Sequence, residues 1–103
     1  MFSYELVQDG QNVTVYFKGD LDIEATEMME EITETLQLFQ TVHISLAEVP
    51  FVDSTGIGLL IHLVDTLKQV GKDVRIFNVQ PEVEEVFAII QLTEILGEET
   101  FVK

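Results

Sequence analysis

Apolar and polar residues alternate with a period of two at the start of the chain. Phe2, Tyr4 and Leu6 alternate with Ser3 and Glu5, and Val13, Val15 and Phe17 alternate with Thr14 and Tyr16. That period predicts half-buried strands. Between them lies Asp9-Gly10-Gln11-Asn12, whose Asp-Gly pair suits a hairpin turn, so the chain opens with an antiparallel pair. Beyond the compact acidic loop Gly19-Asp20-Leu21-Asp22 the period changes. From Ile23 to Phe39, Met28, Ile32, Leu36 and Phe39 recur at helical spacing, with Met29 beside the stripe and Glu24, Glu27, Glu30, Glu31 and Glu34 mostly away from it. This predicts an amphipathic helix with its acids weighted toward the N-terminal half, where the helix dipole favours negative charge. The two methionines serve as packing and the glutamates as a solvated face rather than a metal site.

Val42 to Leu46 predicts a third strand, in which His43 is a polar neighbour within a sheet. Pro50 ends it, and Phe51 and Val52 lead to a corner at Asp53-Ser54. Thr55 to about Val70 predicts a second helix, with Ile57, Leu60, Ile61, Val64 and Leu67 on one face and Leu59, Leu63 and Val70 extending it. Apolar residues cover more of this helix than one sheet contact requires, so it is buried on two sides or offers an apolar edge to a partner. Gly71 is placed to close it as a left-handed cap, with Lys68 and Lys72 at its negative end.

Asp73 to Val79 predicts a fourth strand, with Val74, Ile76 and Val79 set among Arg75, Phe77 and Asn78. Pro81 suits the first position of a third helix that buries Val83, Val86, Phe87 and Ile90. Leu92 to Leu96 predicts a further helical turn stopped by Gly97, and the tail from Glu98 adds an edge strand or frays. The order β-β-α-β-α-β-α implies parallel, right-handed crossovers. The expected fold is α/β: one domain over residues 1–103, a four- or five-stranded mixed sheet with helices mainly on one face.

Charge narrows the function. Nineteen acidic residues against five basic ones give a net charge of −14. The cations are scattered, so the chain lacks the basic footprint that nucleic acid requires, and anionic membranes are disfavoured. A basic protein partner is steered favourably. The longest apolar-rich segment, Ile57 to Val64, falls short of the roughly 20 residues that span a bilayer. Met1 leads straight into a strand pattern rather than a secretory signal, and a cytoplasmic location is expected. The chain has no cysteine, so disulfides and cysteine-ligated metals are excluded.

The stretch Phe51-Val52-Asp53-Ser54-Thr55-Gly56-Ile57-Gly58 is the candidate for chemistry. It sets a serine hydroxyl at a helix entrance, beside unpaired backbone N–H groups. Two glycines keep that entrance bare, so another molecule can approach the backbone. The simplest alternative is that Ser54 or Thr55 merely caps the helix. Acyl-transfer catalysis is disfavoured: the G-x-S-x-G elbow is missing, and His62 lies about 12 Å along the same helix at 1.5 Å per residue. Phosphate-cradling glycine loops are also missing, and Asp20, Asp22 and Asp53 repel a free phosphate. No cofactor and no metal are expected. A covalent phosphate on Ser54 instead adds roughly −1.5 to −2 charges and blocks a docked partner without unfolding the domain.

These residues carry a resemblance. Gly19-Asp20-Leu21-Asp22, then Phe51 to Gly58, then Val83-x-x-Val86-Phe87 look like the bacterial anti-sigma factor antagonists, which are STAS-domain proteins. The resemblance spans essentially the whole chain, and its most specific part is Asp53-Ser54-Thr55-Gly56-Ile57-Gly58. It implies that Ser54 is phosphorylated by an ATP-dependent serine kinase, itself the anti-sigma factor. It also implies that the unphosphorylated form binds that kinase and frees the sigma factor, and that a serine phosphatase resets the system. The partner surface then comprises Asp20, Asp22, Asp53, Ser54, Thr55, Gly56, Ile57 and Gly58 on a monomer without catalytic activity of its own. The alternative is a constitutive STAS scaffold subunit of a larger stress-signalling or lipid-transport complex.

Overall fold

The computed structural model describes every residue except Lys103. The opening alternation forms the hairpin β1 (Ser3–Asp9) and β2 (Asn12–Lys18), paired antiparallel from Ser3↔Lys18 to Asp9↔Asn12. Gly10, at φ +61, takes the left-handed position that the two-residue connection needs. β3 (Thr41–Glu48) and β4 (Asp73–Phe77) then add in parallel, giving one four-stranded mixed sheet in the order β1-β2-β3-β4. The expected fifth strand is a single parallel bridge between Phe101 and Ile76, continued by the Val102 N–H bonding to the Ile76 carbonyl at 2.9 Å.

Register sorts the two faces of the sheet. Val13, Val42 and Val74 align in one row and Val15, Ile44 and Ile76 in the next, all buried. The opposite face carries the rows Thr14, His43, Arg75 and Tyr16, Ser45, Phe77. Helices α1 (Thr26–Leu36) and α2 (Ser54–Gln69) cover the first face and pack on each other. α3 (Pro81–Ile89) and α4 (Leu92–Leu96) close the core with Val83, Phe87, Leu92 and Leu96. On β1, Leu6 shares the row of Val15 and Val7 that of Thr14 on the uncovered face, and both stay exposed.

Several elements differ in detail from the pattern-based expectation. The first helix opens as a 3₁₀ turn over Ile23–Ala25, which sets the phase of α1. Ala25, Met29, Ile32, Thr33 and Leu36 therefore face inward, while Met28 is exposed. Thr33 is tolerated inside because its hydroxyl donates to the Met29 carbonyl at 2.6 Å. α2 is buried on more than one side, with Ile57, Leu60, Leu63, Val64 and Leu67 inward and α1, β4 and α4 against it. Its end is the expected glycine cap: Gly71, at φ +81, donates to the Lys68 carbonyl at 3.0 Å, and Lys72 to that of Leu67 at 3.0 Å. β4 stops at Phe77 because Asn78 turns into the left-handed region at φ 57, leaving Val79 outside the strand. In α3, Val83 and Phe87 are buried, whereas Val86 and Ile90 are only half-buried.

Lys18 clamps the sheet where β2 ends. Its ammonium lies 3.1 Å from Glu5 on β1 and 3.9 Å from Glu48 on β3. The hydrogen bond to Glu5, with the Glu5 and Glu48 charges added, raises the Lys18 pKa above its ordinary value. Lys68 in the last turn of α2 donates to the Leu96 carbonyl and sits 3.5 Å from Glu99, tying the C-terminal segment down. Ile44 is fully buried at the centre of the sheet, paired to strands on both sides. Ile44→Ala is expected to cost about 2–5 kcal/mol, read as a lower urea midpoint at unchanged slope.

Candidate functional site

The parallel strands β2 and β3 both deliver their chains to the same end of the sheet, where α/β proteins gather functional loops. After β2 comes the loop Gly19–Asp22, and after β3 the segment Val49–Asp53. Backbone bonds stitch the two together. Gly19 donates to the Glu48 carbonyl at 2.9 Å, Leu21 to that of Phe51 at 3.0 Å, and Asp53 to that of Leu21 at 3.3 Å. Leu21 and Val52 form a parallel bridge, with both side chains buried. The acidic loop and the Asp53-Ser54 corner, far apart in sequence, thus form one ridge.

Asp53 is the N-cap of α2. Its backbone is extended, at φ −113 and ψ −175, and its carboxylate accepts from the Gly56 N–H at 2.8 Å. Its carbonyl accepts from Ile57 at 2.9 Å. The capping alternative for Ser54 and Thr55 is thereby removed. Ser54 is the first helical residue, and both it and Thr55 are exposed. Asp22 caps in the same manner, accepting from the Glu24 N–H at 3.0 Å at the start of the 3₁₀ turn. Asp20 is exposed beside it.

The two glycines play opposite parts. Gly56 is buried, and a Cβ there would lie 1.7 Å from the Leu21 carbonyl oxygen. Its bareness serves the inside, allowing α2 to meet the acidic loop backbone to backbone. Ile57 is likewise buried, at 8 % exposure, and anchors the first turn in the core. Gly58 is exposed, and a Cβ there would meet nothing within 4 Å. Ser54, Thr55 and Gly58 are therefore the open residues of this turn, and Phe51 and Ile23, on the two segments that lead into α2 and α1, are exposed as well.

The histidines stand apart. His62 is exposed two turns along α2, and His43 lies near the start of β3 on the uncovered face of the sheet. That face holds an open basin of about 550 Å³ lined by Tyr16, His43, Arg75 and Phe77, none of which reaches the Ser54 corner. Among the described residues no group of three or more His, Cys, Asp or Glu is arranged to hold a metal. No helix among them is long and apolar enough to cross a membrane.

Residues 3–103 match the family model of the STAS domain. An anti-sigma-B factor antagonist of Staphylococcus epidermidis is 31% identical over 80 residues, covering 76% of this chain and 74% of its own. The chain belongs to the STAS-domain family of anti-sigma factor antagonists. Solved structures agree on its fold. The anti-sigma factor antagonist SpoIIAA in its unphosphorylated form superposes with a TM-score of 0.75 at 23% identity, over 97% of this chain and 86% of that one. The phosphorylated form of the Bacillus SpoIIAA gives a TM-score of 0.72 at 22% identity, over 97% and 89%. A sulfate transporter family protein from Wolinella succinogenes is as close in shape, with a TM-score of 0.79 at 16% identity over 92% and 79%. The fold is therefore shared across different roles, and the Ser54 corner has to carry the distinction.

The local geometry separates capping from exposure by mutation. Asp53→Ala is expected to cost about 1 kcal/mol through loss of the cap, whereas Ser54→Ala stays within about 0.5 kcal/mol of the parent. Gly56→Ala, which forces two backbones apart, is expected to cost about 3 kcal/mol or more. Urea titration of the three variants checks the ranking.

Proposed function

We propose that this protein is a phosphorylation-gated binding module that docks an anti-sigma factor serine kinase when Ser54 is free and releases it when Ser54 is phosphorylated. The single observation behind this reading is the position of Ser54. Its hydroxyl is exposed at the first turn of α2 and the cap is supplied by Asp53, so a group can be added without undoing the helix. The resemblance at Asp53-Ser54-Thr55-Gly56-Ile57-Gly58, and a neighbour solved in both unphosphorylated and phosphorylated forms, support the same reading.

The docking surface is the ridge of Asp20, Asp22, Asp53, Ser54, Thr55 and Gly58, with buried Gly56 and Ile57 setting its shape. The transfer forms a bond from Ser54 Oγ to the γ-phosphorus of ATP. The bond from that phosphorus to the β–γ bridging oxygen breaks, ADP leaves, and the hydroxyl proton passes to a base on the partner. The product carries roughly −1.5 to −2 charges. The leading amides of α2 receive part of that charge, while Asp20, Asp22 and Asp53 oppose it. A partner seated on the ridge meets both new bulk and repulsion, so binding is lost while the fold persists. A serine phosphatase restores the open form. The protein acts in the cytoplasm as a monomer, its STAS domain binding its partner without catalysis of its own.

Intact-mass measurement on protein isolated from its native cells, with peptide fragmentation, is expected to show phosphate on Ser54 in part of the population. Absence of phosphate under every growth condition would favour a constitutive scaffold instead. Against the co-purifying kinase, Ser54→Asp is expected to abolish binding in calorimetry, while Ser54→Ala binds and is never phosphorylated. Unchanged affinity of Ser54→Asp would sink the reading.

A further inference from the structure

Gly58 has no reason within the fold to be glycine. Of the six glycines, Gly10, Gly19, Gly71 and Gly97 have positive φ, and Gly56 is crowded by the Leu21 backbone. Gly58 has neither feature: it lies inside the first turns of α2 with ordinary helical φ, exposed, with open space where a Cβ would be. An exposed helix interior is where glycine weakens a helix most plainly relative to alanine. The chain keeps a destabilising residue that its own packing does not require.

Its position relative to Ser54 supplies the reason. Residues four apart lie one above the other on a helix face, and Cα–Cβ bonds tilt toward the N-terminus. A helical side chain therefore covers the turn preceding its own Cα. A side chain at position 58 would lean over the turn that begins at Ser54. We infer that Gly58 is an access residue: its missing side chain keeps the Ser54 hydroxyl open to the γ-phosphate of ATP held in the active site of a kinase. This inference rests on the reading of Ser54 as the phosphoacceptor. The attacking and leaving oxygens must stand roughly in line across the transferred phosphorus, so the donor needs clear space around Oγ. Substituents at 58 intrude on that space without touching Ser54's own bonds.

The prediction has opposite signs for stability and reactivity. The parent protein, with Gly58→Ala and Gly58→Leu variants, is incubated with ATP radiolabelled on its γ-phosphate. The kinase source is a lysate of native cells lacking the protein, and Ser54→Ala serves as the blank. Gly58→Ala is expected to raise the melting temperature by roughly 4 °C while slowing initial labelling of Ser54. Gly58→Leu, with a melting temperature no lower than the parent's, is expected to cut labelling by about tenfold or more. Labelling of Gly58→Leu at the parent's rate overturns the inference while leaving Ser54 as phosphoacceptor. Failure of the parent itself to be labelled overturns both.

Discussion

At the first turn of α2, the Leu21 carbonyl oxygen stands where a side chain at position 56 would have to be. Around that contact the loop after β2 and the segment after β3 run side by side through the Leu21–Val52 bridge. The ridge depends on it. With α2 held against the loop, the helix begins at Ser54, Asp53 is left to cap, and the Asp20–Asp22 loop borders the serine rather than trailing into solvent. A side chain at 56 would push the helix away and dissolve the corner, even though no atom of Ser54 takes part in the contact.

That arrangement also bears on the proposed phosphorylation of Ser54, because it lets charge be added to a strongly acidic domain without undoing its fold. The carboxylates of Asp22 and Asp53 are engaged with backbone N–H groups at 3.0 Å and 2.8 Å, so their geometry is set before any modification. The core beneath them is built from the sheet rows of Val15, Ile44 and Ile76 and from Leu60, Val64 and Leu67, none of which faces the corner. Charge added at the surface therefore acts on what approaches the surface.

The periodicities located the four strands and the four α-helices, because each has a one-sided apolar pattern or recognisable turn residues at its ends, whereas the 3₁₀ turn over Glu98–Thr100 falls where the sequence suggested an edge strand or a frayed tail. Details that depend on distant partners were not legible. Three consecutive residues, Asp53, Ser54 and Thr55, all have side chains able to cap, and only the backbone conformation at Asp53 selects among them. Met28 and Met29 are adjacent and chemically alike, so the phase of α1 is decided by the preceding 3₁₀ turn and by Ala25, too small to stand out in a hydrophobic pattern. Gly56 and Gly58 are the same letter with opposite duties, because one faces Leu21 across the fold and the other faces solvent. The Ser54 corner itself was legible as a motif and the resemblance set Asp20 and Asp22 with it, whereas the backbone bonds that join the loop to the corner became visible only in the structure.

The spatial order of the strands, β1-β2-β3-β4, repeats their order along the chain. As the polypeptide leaves the ribosome, each new strand finds its neighbour already made, and no strand waits for one not yet synthesised. The hairpin closes a short loop, whereas the parallel pairings, Asn12 with Thr41 and Thr41 with Asp73, close long ones and form more slowly. The hairpin can form first, α1 and β3 can dock on it, and α2 can then bring Gly56 onto Leu21. Every segment that builds the corner precedes β4 in the chain, and α3 and α4, which close the core, come after it.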